Sequence, residues 1–394
     1  VIKFKLNKFD FSEVILLILV TSTIFRFDAF FAGANRYIPY RITIICLFLF
    51  IVRRFFFTED RFKASLTSLK ALTFLAVAVA VFNLLWFFRF DTLTSFFNSV
   101  LSFLYIIGGV ALLSALLKEV SFSFVLKVRL IFLFLSCIIF SIETYIRFIH
   151  PELGLNENMD SNVVIDRMSA GVQADTFFYF KYGSIMFFDS NYVGLNILPI
   201  VILALSNDKY RKLYIIWLSI LVAFSLSRSA CLGLLMIYTL YFIKWQRKYT
   251  PFVFIIIALL LPFAGYEVYD FFKNDSSFLT KIAIFQSLDL ITQVSIFDFL
   301  FGFGLEKGPF IYSPNDAAYA HALIPLLLGQ IGLVGLLIYF LSWVGMILYF
   351  GFPMLVAFIT LNFCGISLAD PWEVIYFFIP LFSSFIYKNT VELR

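Results

Sequence analysis

The chain predicts an all-α, polytopic integral membrane fold, and three observations carry that expectation. It is 62% hydrophobic and only 14% charged, where soluble domains run about 45–50% apolar and roughly 25% charged. Its apolar residues fall in long runs instead of period-2 or period-3.6 patterns, and a run of about 18 or more reads as a transmembrane helix. Helices satisfy their own backbone hydrogen bonds, so lipid can be their solvent. Finally, the basic residues concentrate in alternate connections along the chain, the pattern that sets orientation in membrane proteins.

In order, the runs predict about twelve spans, at 13–31, 38–52, 71–88, 96–117, 130–149, 185–205, 213–227, 230–243, 251–265, 322–349, 353–368 and 374–387. They form one transmembrane domain over residues 1–394 with both termini on one side. Placing the N-terminus inside puts most of the 30 Lys and Arg residues in inner segments, from Lys3, Lys5 and Lys8, through the Arg53–Lys70 group, Lys118, Lys127 and Arg129, to Lys244, Arg247, Lys248 and Lys388. Both termini are therefore expected in the cytoplasm. The net charge of +5 reads as this orientation signal, which argues against a nucleic-acid partner.

The basic start runs straight into a full-length span, so no cleavable signal peptide is expected. The first residue is Val, and the turn Tyr349-Phe350-Gly351-Phe352-Pro353 lacks the basic residues of most inner turns. Both observations suggest that residues are skipped before Val1 or near Gly351. Cys46, Cys137, Cys231 and Cys364 all fall inside spans, as buried apolar thiols with no metal or disulfide spacing.

Two outer connections are long: 150–184, between spans five and six, and 265–321, between spans nine and ten. A connection of the second length inside so apolar a chain is expected to be functional. Within it, Thr280 to Ser295 predicts an amphipathic helix, with Lys281, Gln286, Asp289, Thr292 and Gln293 on one arc and Ile284, Leu288, Leu290, Ile291 and Val294 on the other. Such a helix could lie at the membrane interface or pack over the spans.

Spans seven and eight are short. Leu213 to Ile243 supplies about 31 residues where two full crossings need about 40. The turn is expected at Ser227-Arg228-Ser229, which puts Arg228 below the outer surface, in protein or a wet cavity. A cation at that depth is a functional-site candidate, and a snorkelling Arg at a helix end is the plainer alternative.

Chemistry at the outer face then rests on few groups. His321 stands at the mouth of span ten, and a neutral imidazole accepts a proton near neutral pH. His150, before Pro151, reads as a span terminus. With only two histidines, far apart, and no Cys, Asp or Glu cluster, no metal site and no cofactor are expected. Gly302-Phe303-Gly304 lacks the strand–turn–helix context of a nucleotide fingerprint. One base with two cations, Arg228 and Lys281, suits transfer from a lipid-linked diphosphate. The leaving group needs its charge neutralised, and the attacking hydroxyl benefits from a base.

From Asp189 to Phe382 the chain resembles the O-antigen polymerase/ligase superfamily of bacterial inner-membrane glycosyltransferases. The resemblance is carried by Asp189-Ser190-Asn191-Tyr192, Ser227-Arg228-Ser229-Ala230, the basic residue at Lys281, Leu300-Phe301-Gly302-Phe303-Gly304, Ala320-His321, the run Gly329 to Leu336, and Ala369-Asp370. It implies a metal-independent, inverting transfer of glycan from an undecaprenyl-diphosphate carrier at the periplasmic face. By that resemblance Arg228 and Lys281 hold the diphosphate, and His321 positions or deprotonates the acceptor hydroxyl. The family often has Asn where this chain has Ala322, and commonly Arg where it has Lys281. The missing Asn and the Asp-Ser-Asn-Tyr opening favour polymerase over ligase. A chain-length-regulating co-polymerase is the partner this implies. Secondary site candidates are Asp189, Asn191, Arg167, Tyr319 and Asp370. The competing class is a carrier, such as a lipid-linked oligosaccharide flippase. A carrier should show charged or broken helices near mid-membrane in both halves, whereas the ionisable residues here cluster towards span ends.

Overall fold

The computed structural model describes residues 10–26, 38–57, 93–150, 184–186, 190–206, 211–246, 282–304, 307–313, 322–364 and 373–392. The described residues are helical, with no strand among them. We number the α-helices α1 (Phe11–Ser22), α2 (Ile38–Phe57), α3 (Leu93–Glu119), α4 (Phe122–Ile149), α5 (Ser190–Leu205), α6 (Arg211–Phe224), α7 (Arg228–Trp245), α8 (Ile296–Phe301), α9 (Gly308–Ile311), α10 (Leu323–Phe350), α11 (Phe352–Ile359) and α12 (Ile375–Glu392). A 3-10 helix, Ser287–Gln293, precedes α8, and a π-turn, Thr360–Cys364, continues α11. The expected spans at 71–88 and 251–265 lie outside the described residues, and each of the other ten overlaps a helix, although α1 ends at Ser22, short of the expected 31, and α5 starts at Ser190, later than the expected 185. Two of these, α4 and α10, are long and apolar enough to cross a membrane by length and composition.

Helix α4 starts eight residues before the predicted span. Ser121 caps it by accepting from the Phe124 amide, so Lys127 and Arg129 belong to the helix and not to an inner loop. Arg129 is buried because it has partners: its Nε and Nη2 donate to the carbonyls of Leu203 and Ala204, at 3.3 and 3.0 Å. Those carbonyls end α5, where a cation complements both the orphan acceptors and the helix dipole.

Helix α5 is the axis of the bundle. Every residue from Val193 to Leu205 is buried, among α4, α6, α7, α11 and α12. Burial on all sides is open to it because its sequence is apolar all round. Pro199 lacks an N–H and leaves the Leu195 carbonyl without its helical donor, and the Tyr376 hydroxyl of α12 fills the gap at 2.7 Å. At the C-terminus, Ser383 donates to Ile202 and the Ser206 hydroxyl to Leu203.

Contacts sort the helix ends into two sets. At one end, called the basic end, Arg53 of α2 pairs with Asp10 and Ser12 beside α1, Ser12 donates to Glu119 of α3, and Lys388 of α12 reaches the Tyr349 carbonyl of α10. At the opposite end, called the loop end, Arg26 after α1 pairs with Glu373 before α12 at 2.7 Å. These pairings agree with the alternation of direction expected from the spans. The exterior between the two ends is apolar, with Phe48, Phe134, Leu213, Leu235 and Leu348 exposed, while Arg129, Glu143 and Arg147 lie in the interior. Of the thiols, Cys46 is buried and Cys137 half-buried. Cys231 sits on the outer face of α7 and is exposed, so the expectation that all would be buried fails there.

Candidate functional site

Three structures lie towards the loop end, and the first is the turn between α6 and α7. It is formed by Ser225, Leu226 and Ser227, two residues earlier than expected, and Arg228 is instead the first residue of α7. The shift has a local cause. Ser227 caps α7 by accepting from the Ala230 amide at 3.2 Å, the role for which serine is favoured at a helix start. Leu226 takes φ +58°, a strained conformation for a branched side chain. It is held by Ser225, whose hydroxyl donates to the Val222 carbonyl and accepts from the Ser227 amide. Ser225 and Ser227 are buried and Arg228 is exposed. The turn rests on α5 at Gly194, where a Cβ would lie 2.6 Å from that of Ala230. Asn191, half-buried, is one helical turn from Gly194 on the same face, so α5 brings Asn191 to the start of α7.

The second is a buried ion pair on α4. Arg147 Nε donates to Glu143 Oε1 at 3.0 Å, and both side chains are fully buried. The other arm of Arg147 donates from Nη2 to the Phe224 carbonyl at 2.8 Å, and the Ser184 hydroxyl hydrogen-bonds Glu143. Phe224 ends α6 immediately before the strained turn. Arg147 therefore fixes the end of α6, immediately before the turn that leads to Arg228 at the start of α7. In the sequence these two residues counted only as charges near a span end. Their i, i+4 spacing in an apolar run was a legible sign of a buried pair, while the carbonyl that completes it carries no side-chain signature.

The third is the junction between the second long connection and α10. Helix α10 is broken at Gly332, which has φ +66° and ψ −175°, a conformation open to glycine. The break frees the carbonyls of Gly329 and Gln330. They accept from the amides of Phe303 and Gly304, at 2.7 and 3.0 Å. Glycines make the approach close enough: a Cβ on Gly329 would run into the Gly308 carbonyl, and one on Gly302 would lie 2.6 Å from the Gln330 carbonyl. Two glycine-bearing segments that carried separate parts of the resemblance thus form one backbone-paired unit.

The chain leading into this junction differs from the expected single amphipathic helix over 280–295. Residues 282–286 are α-helical, the 3-10 helix follows, and Val294 turns extended at ψ 155°. Ser295 then caps α8, accepting from the Asp298 amide at 3.1 Å and donating to Asp298 Oδ2 at 2.8 Å. This Ser-x-x-Asp start resembles a capping box and was readable in the sequence. Lys281 lies outside the described residues, and the other members of the two predicted arcs keep their difference in exposure. Gln286, Asp289, Thr292 and Gln293 are exposed, whereas Ile284 is buried and Leu288, Leu290, Ile291 and Val294 are half-buried. Behind the junction sit Gln330, Tyr312 and Ser313, buried polar side chains with Oε1 or hydroxyl groups lacking a partner among the described residues. Burial and the nearby Asp298 carboxylate push the Tyr312 phenol above its ordinary range, so it remains a neutral hydroxyl at physiological pH.

Among the predicted site residues, the structure describes Arg228 and Asn191 and brings both to the loop end. His321 and Lys281 lie outside the described residues, as do Asp189, Arg167, Tyr319 and Asp370. Ile284, three residues after Lys281, and Ala322, the residue after His321, pack together as a small buried cluster apart from the main core. No family model, curated protein or solved structure matches this chain.

Proposed function

We propose that this chain is a bacterial inner-membrane glycosyltransferase of the O-antigen polymerase type, with both termini cytoplasmic and its site facing the periplasm. It would join undecaprenyl-diphosphate-linked repeat units. One observation carries the reading. Segments far apart in the chain that bear the resemblance meet pairwise at one end of the bundle: 300–304 with 329–332, and the start of α5 with the start of α7. An all-helical bundle with an apolar exterior and buried charges suits a bilayer.

In this reading Arg228, exposed at the first position of α7, is presented to the diphosphate, and Lys281 is the second cation. Guanidinium forks match phosphate oxygens, whereas an ammonium acts as a point charge. The acceptor hydroxyl attacks the anomeric carbon and its proton passes to the neutral imidazole of His321. The bond from that carbon to the diphosphate oxygen breaks, and the electron pair leaves with undecaprenyl diphosphate. Both cations stabilise the charge that develops there.

The test supplies purified protein with lipid-linked repeat units alone. A ladder of longer glycans that survives EDTA, and is lost in Arg228→Ala and His321→Ala, is the expected result. Product formed only when lipid A–core is added would make the protein a ligase. A carrier remains the reading from another class, favoured by one observation, the break of α10 at Gly332, since carriers place broken helices at their sites. Transbilayer movement of the lipid-linked glycan with no change in its length would establish that alternative.

A further inference from the structure

At the basic end, cations from three helices are laid against one aromatic floor. The Arg211 guanidinium, at the start of α6, lies 3.9 Å from the centre of the Trp245 ring at the end of α7. Trp245 packs on Tyr241 at 5.2 Å, and Tyr241 on Phe352 at 5.0 Å. The Lys244 ammonium sits 5.4 Å from the centre of the same Phe352 ring. Across Gly351, Lys388 of α12 lies 5.5 Å from the Tyr349 ring and donates to the Tyr349 carbonyl at 2.6 Å. These contacts form one continuous patch where α6, α7, α12 and the α10–α11 junction converge.

The placement is more specific than an orientation signal requires. Cations that only mark the cytoplasmic side extend into water on flexible stems. Here the rings hold the stems in place, and an aromatic face restrains a cation without neutralising it. The entropy of ordering those side chains is then largely spent before a ligand arrives, which favours binding. Apolar surface continues directly from the patch, with Phe242 on α7 and Leu348 on α10 exposed at its membrane side. An anionic head with hydrocarbon attached matches both parts, whereas a free phosphate uses only the first.

We propose that this patch is a binding site for the headgroup of an anionic phospholipid of the inner leaflet, with the acyl chains lying over Phe242 and Leu348. Basic pockets between transmembrane helices on the cytoplasmic side have this chemistry. The site does not depend on the glycosyl-transfer reading and lies at the opposite end of the bundle from Arg228.

The full chain, purified in a neutral detergent, would be titrated with phosphatidylglycerol or phosphatidylcholine and followed by native mass spectrometry and thermal unfolding. The expected result is saturable retention of phosphatidylglycerol at one copy, with a rise in unfolding temperature that phosphatidylcholine does not give. The Arg211→Gln/Lys244→Gln/Lys388→Gln protein should lose retention by about tenfold or more. Should that triple variant fail to fold, Lys244→Gln and Lys388→Gln alone should each weaken retention measurably. Equal retention of the two lipids, or unchanged retention in variants that fold, would overturn the proposal. So would stabilisation by inorganic phosphate or glycerol phosphate matching that of the lipid, which would mark a soluble-phosphate site.

Discussion

Helix α5 and the first half of α10 are both enclosed by protein, and both interrupt their own hydrogen-bond ladder. They repair the interruption differently. In α5 the gap left by Pro199 is filled by a side chain, the Tyr376 hydroxyl, and its terminal carbonyls are taken by Arg129, Ser383 and Ser206. In α10 the carbonyls freed at Gly332 are taken by the backbone of another segment, through the amides of Phe303 and Gly304. Side-chain repair locks a helix into one bundle position. Backbone repair instead seats a loop, and the buried Gln330 Oε1 beside it has no partner among the described residues. The first pattern ties helix to helix within the bundle, and the second ties a connecting segment to a helix.

Arg147 belongs to the side-chain group, since it takes the last carbonyl of α6, and breaking it should have the largest effect. Arg147→Leu strands the Glu143 carboxylate in a fully buried position, where removal of one partner costs about 3–5 kcal/mol. Thermal unfolding in detergent should show a large loss. Most of it should return in Glu143→Gln/Arg147→Leu, in which neither charge is left alone. A double variant as unstable as the single would mean that the Phe224 carbonyl contact, and not the stranded charge, carries the effect.

Gly329→Ala attacks the backbone-repaired helix. In an ordinary helix this change gains up to about 1 kcal/mol, but here the new methyl group collides with the Gly308 carbonyl. Forcing such a group into a packed site costs about 1–3 kcal/mol, and the bonds to Phe303 and Gly304 weaken with it. Limited proteolysis should find new cuts within 302–313 while the other helices stay protected. Uniform destabilisation, with no preference for that segment, would show that the seated loop is part of the rigid core.

Tyr376→Phe removes one hydroxyl and leaves the Leu195 carbonyl buried without a donor. The cost of a stranded acceptor is about 1–3 kcal/mol. It should appear as a lower unfolding temperature, with lipid-linked substrate binding unchanged because α5 keeps its place. A binding defect at retained stability would instead tie the centre of the bundle to the site.

Much of this contrast was legible in the sequence, and the parts that were not share a cause. Hydrophobic runs located the long described helices but not α8 and α9, and the segments 300–304 and 329–336 stood out as parts of the resemblance. Pro199 inside an apolar run predicts a stranded carbonyl four residues earlier, but nothing marks which of the chain's hydroxyls will fill it. Backbone carbonyls and amides are the same at every residue, so the pairing of 303–304 with 329–330, and of Arg147 with Phe224, leaves no signature in residue type. The turn before Arg228 was misplaced for a related reason. Three serines, Ser225, Ser227 and Ser229, can each cap a helix, and only packing against Gly194 selects Ser227.

Gln330 gives the smallest effect on stability and the sharpest test of the contrast. Its side chain is 5% exposed with an unpartnered Oε1, so the folded protein gains nothing from that oxygen and bears its desolvation. Gln330→Met keeps the length of the side chain and removes the polar atoms. It should leave the unfolding temperature unchanged or slightly raised, since relief of a stranded acceptor is worth about 1 kcal/mol. If the junction binds a hydroxyl-rich ligand, the same variant should polymerise repeat units more slowly or bind them more weakly. A protein as active as the wild type would reduce Gln330 to a packing imperfection. One that is stable but impaired would tie the unpartnered oxygen of Gln330 to ligand binding.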